Sequence, residues 1–205
     1  MPSRENGLLK DLFTLTLIVV IIVLPVRAFI ASPFVVDGNS MVPTFHNFDY
    51  LIVDELRYRF FEPERGDVIV FRYPKNPSTF YIKRIVGLPG ETVSIQRGVV
   101  TVTDLSGAVR TLPEPYITAD DATYSGKVVL LEGEYFVLGD NRPNSSDSRV
   151  WGALPREDIV GRVFARLLPA SKAALLPGHA TYPTPDESQP QKDEVSMRIS
   201  LSYAA

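Results

Sequence analysis

The chain has 205 residues, no cysteine and only two histidines, His46 and His179. Without cysteine, disulfides and thiolate-held metals are both excluded. Two histidines, one of them in a polar and proline-bearing stretch, are too few for a His-rich metal centre. They also leave a Ser-His-Asp triad dependent on His46, which lies six residues after the most suggestive serine, Ser40. A hydrolase built on this chain is therefore expected to use another base, with no metal and no cofactor. An excess of basic charge is lacking as well. The net charge of −3 carries no footprint for nucleic acid, and no such partner is expected. What is present is apolar: 45% of the residues are hydrophobic, enough for a real core and incompatible with global disorder. The length fits one domain of ordinary size with room for a small subdomain.

Charge is also missing from residues 12–26 (LFTLTLIVVIIVLPV). A helix over that run covers about 22 Å, short of a hydrocarbon core of about 30 Å. Continued to Ala31 it reaches about 30 Å, with Arg27 snorkelling to the interface. Pro25 would kink it, which lipid-embedded helices tolerate. A buried core helix and a cleavable signal peptide compete with this reading. A cut after Ala31 would place bulky Phe29 at the third position upstream, so the segment is expected to be retained. Arg4 and Lys10 precede the run, and the positive-inside rule puts residues 1–11 in the cytoplasm. Residues 12–31 are then a single transmembrane anchor, and everything after them lies on the extracytoplasmic side of what is expected to be the plasma membrane.

After Pro33 the pattern changes to short β-type runs separated by turn residues. Strands are expected at 50–54 (YLIVD), 67–73 (DVIVFRY), 80–86 (FYIKRIV), 127–131 (KVVLL), 135–138 (YFVL) and 159–167. Residues 92–96 and 99–103, split by Arg97-Gly98, predict a hairpin with a two-residue turn. This spacing predicts a mainly β fold, an all-β barrel-like or sandwich domain over residues 32–168, with a small β insertion at about 97–126. Residues 169–205 lack periodicity, are rich in proline and polar groups beyond 177, and read as a disordered tail.

Four clusters stand out, and they carry weight in combination. In Gly38-Asn39-Ser40-Met41-Val42-Pro43-Thr44, Gly38 permits close backbone approach and Pro43 stiffens the exit. A serine on such a turn presents its hydroxyl and its own N–H to a carbonyl. Alone, the same residues read as a plain turn. In 81–91 (YIKRIVGLPGE), strand alternation puts Tyr81, Lys83 and Ile85 on one face and Ile82, Arg84 and Val86 on the other. A lysine among apolar neighbours loses its charge more easily, and a drop from about 10.4 to about 8 needs about 3 kcal/mol. Neutral Lys83 would then deprotonate Ser40 without a histidine. The competing reading is a surface Lys-Arg pair that guards an edge strand. In 139–149 (GDNRPNSSDSR), an Asp and an Arg two apart can pair and stiffen a loop, while a serine can hold a neutral lysine. The fourth, Arg65-Gly66-Asp67 before the strand at 68–73, reads mainly as a turn with structural value.

Taken in order, SM-x-PT, RGD-V-x-V-F, YIKR-x-VGLPG and GDN-R-x-N-S-x-DSR resemble the boxes of type I signal peptidases, over roughly residues 33–163 and behind an anchor. The resemblance implies that Ser40 is the nucleophile and Lys83 the general base. It implies that Ser145 positions the lysine and that Asp147 and Arg149 brace the active-site loop. It further implies cleavage after Ala-x-Ala-like sites, with Phe34, Val36, Met41, Tyr81 and Ile82 lining shallow pockets. The partners implied are preproteins carrying signal peptides, membrane lipid and the neighbourhood of the protein-export machinery. Some family members have a serine two positions before the nucleophile, where its hydroxyl helps bind the oxyanion. This chain has Gly38 there, so the Ser40 N–H is expected to act with a second donor from the Gly38 backbone or the Asn39 amide. Two alternatives remain open at this point. One is a LexA-type self-cleaving Ser/Lys protease, and the other is a non-catalytic anchored β-domain that binds envelope partners.

Overall fold

The structure is a computed structural model that describes residues 4–18, 20–21, 31–119 and 121–182. It is mainly β. Strands β1 (Ala31–Val35), β2 (Tyr50–Asp54), β3 (Val68–Tyr73), β4 (Asn76–Gly87), β9 (Glu134–Leu138), β10 (Leu154–Pro155) and β11 (Ile159–Leu168) form one antiparallel sheet in the order β1-β2-β11-β3-β4-β9-β10, and β12 (Ala174–Leu175) pairs with β11. Strands β5 (Thr92–Gln96), β6 (Val99–Thr103), β7 (Val109–Thr111) and β8 (Ser125–Val129) form a second, smaller sheet in the order β7-β6-β5-β8.

The strongest runs become the centre of the large sheet. In β3, Val68 and Val70 join one buried cluster with Met41, Phe45 and Leu51, while Ile69 and Phe71 join another with Tyr135 and Leu154. Burial on both faces explains why this strand reads as an unbroken apolar run. β2, which has only one inward face, alternates instead, with Leu51 and Val53 inside. β5 and β6 occupy the expected residues. Arg97 and Gly98 between them have φ of 48° and 84°, the left-handed pair that a two-residue hairpin turn needs.

The structure differs from expectation at three boundaries. The β insertion is wider than 97–126, because β5 and β8 carry its sheet from Thr92 to Val129. Helix α1 spans Arg4–Ile18, beginning in the polar segment ahead of the apolar run, and Ala31 belongs to β1, where it pairs with Asp54. Residues 19 and 22–30 of the expected anchor lie outside the described residues. Among the described residues no helix is long and apolar enough to cross a membrane. Finally, residues 170–182 are not a loose tail. After a 3-10 turn at Ala170–Lys172 and β12, the chain lies against the body as a strap: Ala180 N–H donates to the Gly66 carbonyl at 3.3 Å and Tyr182 meets Tyr116 at 2.7 Å. Aromatic and backbone groups hold this strap, which a search for periodicity does not detect. Residues 183–205 lie outside the described residues.

Candidate active site

Ser40 stands on a turn between β1 and β2. The two ends of this loop are tied together by Val36 N–H to the Asp49 carbonyl and Phe48 N–H to the Val36 carbonyl, each at 2.9 Å. Met41 and Phe45 plug its underside into the core, at 1% and 0% exposure. From the other side, Asn141 N–H donates to the Ser40 carbonyl and the Asn141 amide donates to the Asn39 carbonyl, both at 3.0 Å. The serine is therefore fixed by its backbone while its hydroxyl stays free to react.

Lys83 comes from the middle of β4, which is flanked by β3 and β9 and is not an edge. Its Nζ lies 2.8 Å from Ser40 Oγ and donates to the Ile82 carbonyl at 2.8 Å. The side chain is buried, at 4% exposure. Burial pulls its pKa down to about 8, and the opposing fields of Asp147 and Asp140 limit the fall. Lys83 is thus a buried amine of lowered proton affinity next to a hydroxyl.

Its neighbour Arg84 is equally buried but remains a cation, because it is paired. Its Nε and Nη2 reach the two oxygens of Asp140 at 2.9 and 2.6 Å, and its other partners are the carbonyls of Gly66 and Gly178. Asp140 also accepts from the Thr44 hydroxyl, so this ion pair ties β4 and the strap to the serine loop.

The 139–149 loop packs against both. Asp147 accepts from Arg149 Nε and Nη2 at 2.8 and 2.9 Å and from the Gly139 N–H at 3.1 Å. It also caps the short helix α2 (Ser148–Trp151) through the Arg149 N–H. Arg149 continues to the Arg142 carbonyl and to Asp121, contacts that tie the loop to itself and to the segment carrying Asp121. Ser145 Oγ is buried with no hydrogen-bond partner, so the contact expected with Lys83 is not formed while Nζ is engaged by Ser40 and Ile82. Gly139 fills a gap that admits no side chain: a Cβ there would come within 2.2 Å of Ser145 Oγ and 2.6 Å of the Ser40 carbonyl oxygen. Gly139, Arg84, Asp140 and Thr44 are the site residues that sequence reasoning missed. From the sequence, Arg84 receives no role beyond the competing reading of a surface Lys-Arg pair.

A cleft of about 230 Å³ opens beside Ser40 and Lys83, walled by Phe34, Val36, Tyr81, Ile82, Leu51 and Val70. Four of the five expected pocket residues line it. Met41 does not, because its side chain points into the core cluster shared with Val36, Phe45 and Leu51. Of the expected oxyanion donors, the Gly38 N–H is occupied by Asn47 Oδ1 at 2.9 Å. The Ser40 N–H makes no hydrogen bond among the described residues, and Asn39 is exposed at the mouth of the site. His46 makes no hydrogen bond to Ser40 among the described residues: its Nδ1 is buried without a partner, and its backbone N–H donates to Asp49 Oδ2 at 3.1 Å.

A buried lysine of lowered pKa beside a backbone-fixed serine, next to an apolar cleft, is the geometry that acyl transfer by a Ser/Lys pair would need. Comparisons with known proteins identify the family. The family profile of signal peptidase, peptidase S26, matches residues 9–168. The chain is 40% identical over 162 residues to a probable signal peptidase I-2 of Synechocystis sp., covering 77% of this chain and 72% of that protein. It is 36% identical over 188 residues to a signal peptidase I of Leptolyngbya laminosa, covering 88% of this chain and 90% of that one. A crystal structure of a signal peptidase I from Enterococcus faecalis matches at 30% identity and a TM-score of 0.43, covering 50% of this chain and 97% of that chain. The chain belongs to the signal peptidase family, peptidase S26.

Proposed function

We propose that Ser40 is the nucleophile and Lys83 the general base of a serine endopeptidase that removes signal peptides from preproteins after small residues. The observation that carries this assignment is the 2.8 Å approach of a buried, readily deprotonated Lys83 to Ser40 Oγ. With Lys83 neutral, the Ser40 hydroxyl donates to the amine lone pair while an amine N–H is held by the Ile82 carbonyl. Ser40 Oγ attacks the scissile carbonyl as its proton passes to Nζ. The oxyanion is held by the Ser40 N–H, with Asn39 as the second donor because the Gly38 N–H is already taken. The proton then goes to the leaving amine. Water deprotonated by the same lysine releases the acyl group. Ser145, buried and unpartnered, is the acceptor for the ammonium that forms once the Ser40 proton has arrived. Asp147 and Arg149 hold the loop that carries Ser145.

Phe34, Val36, Tyr81 and Ile82 leave room for methyl-sized side chains, which favours Ala-x-Ala-like sites. Anchorage through residues 12–31, with the catalytic domain on the extracytoplasmic side, suits such a substrate. Ser40 lies nine residues after Ala31, a tether of at most about 30 Å, so the nucleophile stays near the membrane surface where a signal peptide emerges. The alternatives of a LexA-type self-cleaving protease and a non-catalytic binding domain fall with membership of the family. The test is cleavage of a preprotein by the purified chain in detergent. Ser40→Ala and Lys83→Ala are each expected to abolish turnover with the fold intact, and near-normal activity in either would refute the assignment.

A further inference from the structure

The cleft beside Ser40 contains one carboxylate among its lining residues, Asp37. Its situation is unlike that of the other acids near the site. Asp140 and Asp147 are buried and paired with Arg84 and Arg149. Asp37 is exposed, and among the described residues its carboxylate makes no ion pair or hydrogen bond. Its backbone is nevertheless fixed, since Val36 is pinned to Asp49 and Gly38 to Asn47 Oδ1, each at 2.9 Å. A standing negative charge is thus held at the mouth of an otherwise apolar cleft. It lies three residues before Ser40, within about 11 Å along the chain.

A peptide that lies extended in the cleft points alternate side chains in opposite directions. If the first and third residues upstream of the cut face the apolar wall, the second faces outward, and the first residue downstream sits beside Ser40. We propose that Asp37 selects substrates by charge at these outward positions, favouring lysine or arginine and disfavouring aspartate or glutamate. The proposal rests on the reading of Ser40 and Lys83 as the reacting pair. Attraction to one sign and repulsion of the other act in the same direction. At a half-solvated site each is worth a few-fold, so a lysine peptide should exceed its glutamate twin by about tenfold in kcat/KM.

The experiment uses the full chain in neutral detergent and two matched peptide pairs. Both pairs carry alanine at the first and third positions upstream. One pair differs as lysine or glutamate at the second position upstream, and the other at the first position downstream. The lysine-to-glutamate ratio of kcat/KM should be about tenfold for at least one pair at low salt, and it should shrink toward unity in 1 M salt, where the screening length is about 3 Å. It should collapse to near one in Asp37→Asn and persist in Asp37→Glu, a pattern that a merely structural role for Asp37 would not produce. A ratio near one in the unmodified chain for both pairs, or a ratio unchanged in Asp37→Asn, overturns the proposal. Cleavage that survives Ser40→Ala overturns the catalytic reading and this inference with it, which separates the two failures.

Discussion

Lys83 Nζ lies 2.8 Å from Ser40 Oγ although the two residues are 43 apart in the chain. The pairing is produced by β4, which carries the lysine through the middle of the sheet, and by Asn141, which holds the serine loop over it. Because desolvation dominates its environment, the lysine gives up its proton at about pH 8.

The pH dependence follows from that value. Above about pH 8 Lys83 is the free amine and can accept the Ser40 proton; below it the ammonium blocks the reaction. On peptide substrates kcat/KM should rise about tenfold per pH unit below 8 and level off above it. A limb centred near 10, as for an exposed lysine, would show that Lys83 is not the base.

The same burial opposes stability. The unfolded chain keeps the lysine proton up to about 10.5, while the folded one releases it near 8, so stability attributable to this group rises with pH between those values. At neutral pH the folded state bears a penalty of about 3 kcal/mol, since each tenfold loss of proton affinity on folding costs about 1.4 kcal/mol. Lys83→Met should therefore be inactive yet more resistant to urea at pH 7. The gain should shrink as pH approaches 10.5. Equal urea midpoints for the two proteins at pH 7 would contradict this account.

Gly139→Ala tests the packing between the two halves of the site. The added methyl meets Ser145 Oγ and the Ser40 carbonyl oxygen well inside contact distance, so the serine loop and the 139–149 loop must separate. Displacing a nucleophile by 1 Å costs about a hundredfold in rate. The expected outcome is a kcat loss of that order with KM little changed. Overpacking should also lower stability by about 1–3 kcal/mol. A variant that keeps wild-type kcat would show that the two loops give way elsewhere.

Much of this architecture was legible because it is local. The hairpin of β5 and β6 is written in alternation around Arg97-Gly98, and β3 in an apolar run. β1 was hidden, since Pro33 and the preceding apolar run disguise an edge strand. Ser40, Lys83, Asp147 and Arg149 could be named from the family resemblance of their boxes; the two-residue Asp-Arg spacing alone also fits Asp140 and Arg142. Arg84, Asp140 and Thr44 could not, because their contacts join residues 56 and 96 positions apart and leave no periodic trace. The strap eluded the sequence for the same reason. Its hold on the body is a carbonyl of Gly178 on Arg84 and a tyrosine pair, neither of which requires a hydrophobic repeat.

The Arg84–Asp140 pair separates a structural from an electrostatic effect in one variant. Both side chains are 1% exposed, and the pair links β4, the serine loop through Thr44 and the strap through Gly178. Asp140→Asn leaves the guanidinium buried without its counter-charge, which should cost about 3–5 kcal/mol in denaturant unfolding. Asp140 also holds the Lys83 pKa up, so its neutralisation should move the activity limb below pH 8, opposite to what general loosening and rehydration of the lysine would give. Measured on the surviving folded fraction, a limb displaced to lower pH together with reduced stability supports the linked network. A limb displaced upward would mean that water has entered and that the pair serves chiefly to keep Lys83 dry.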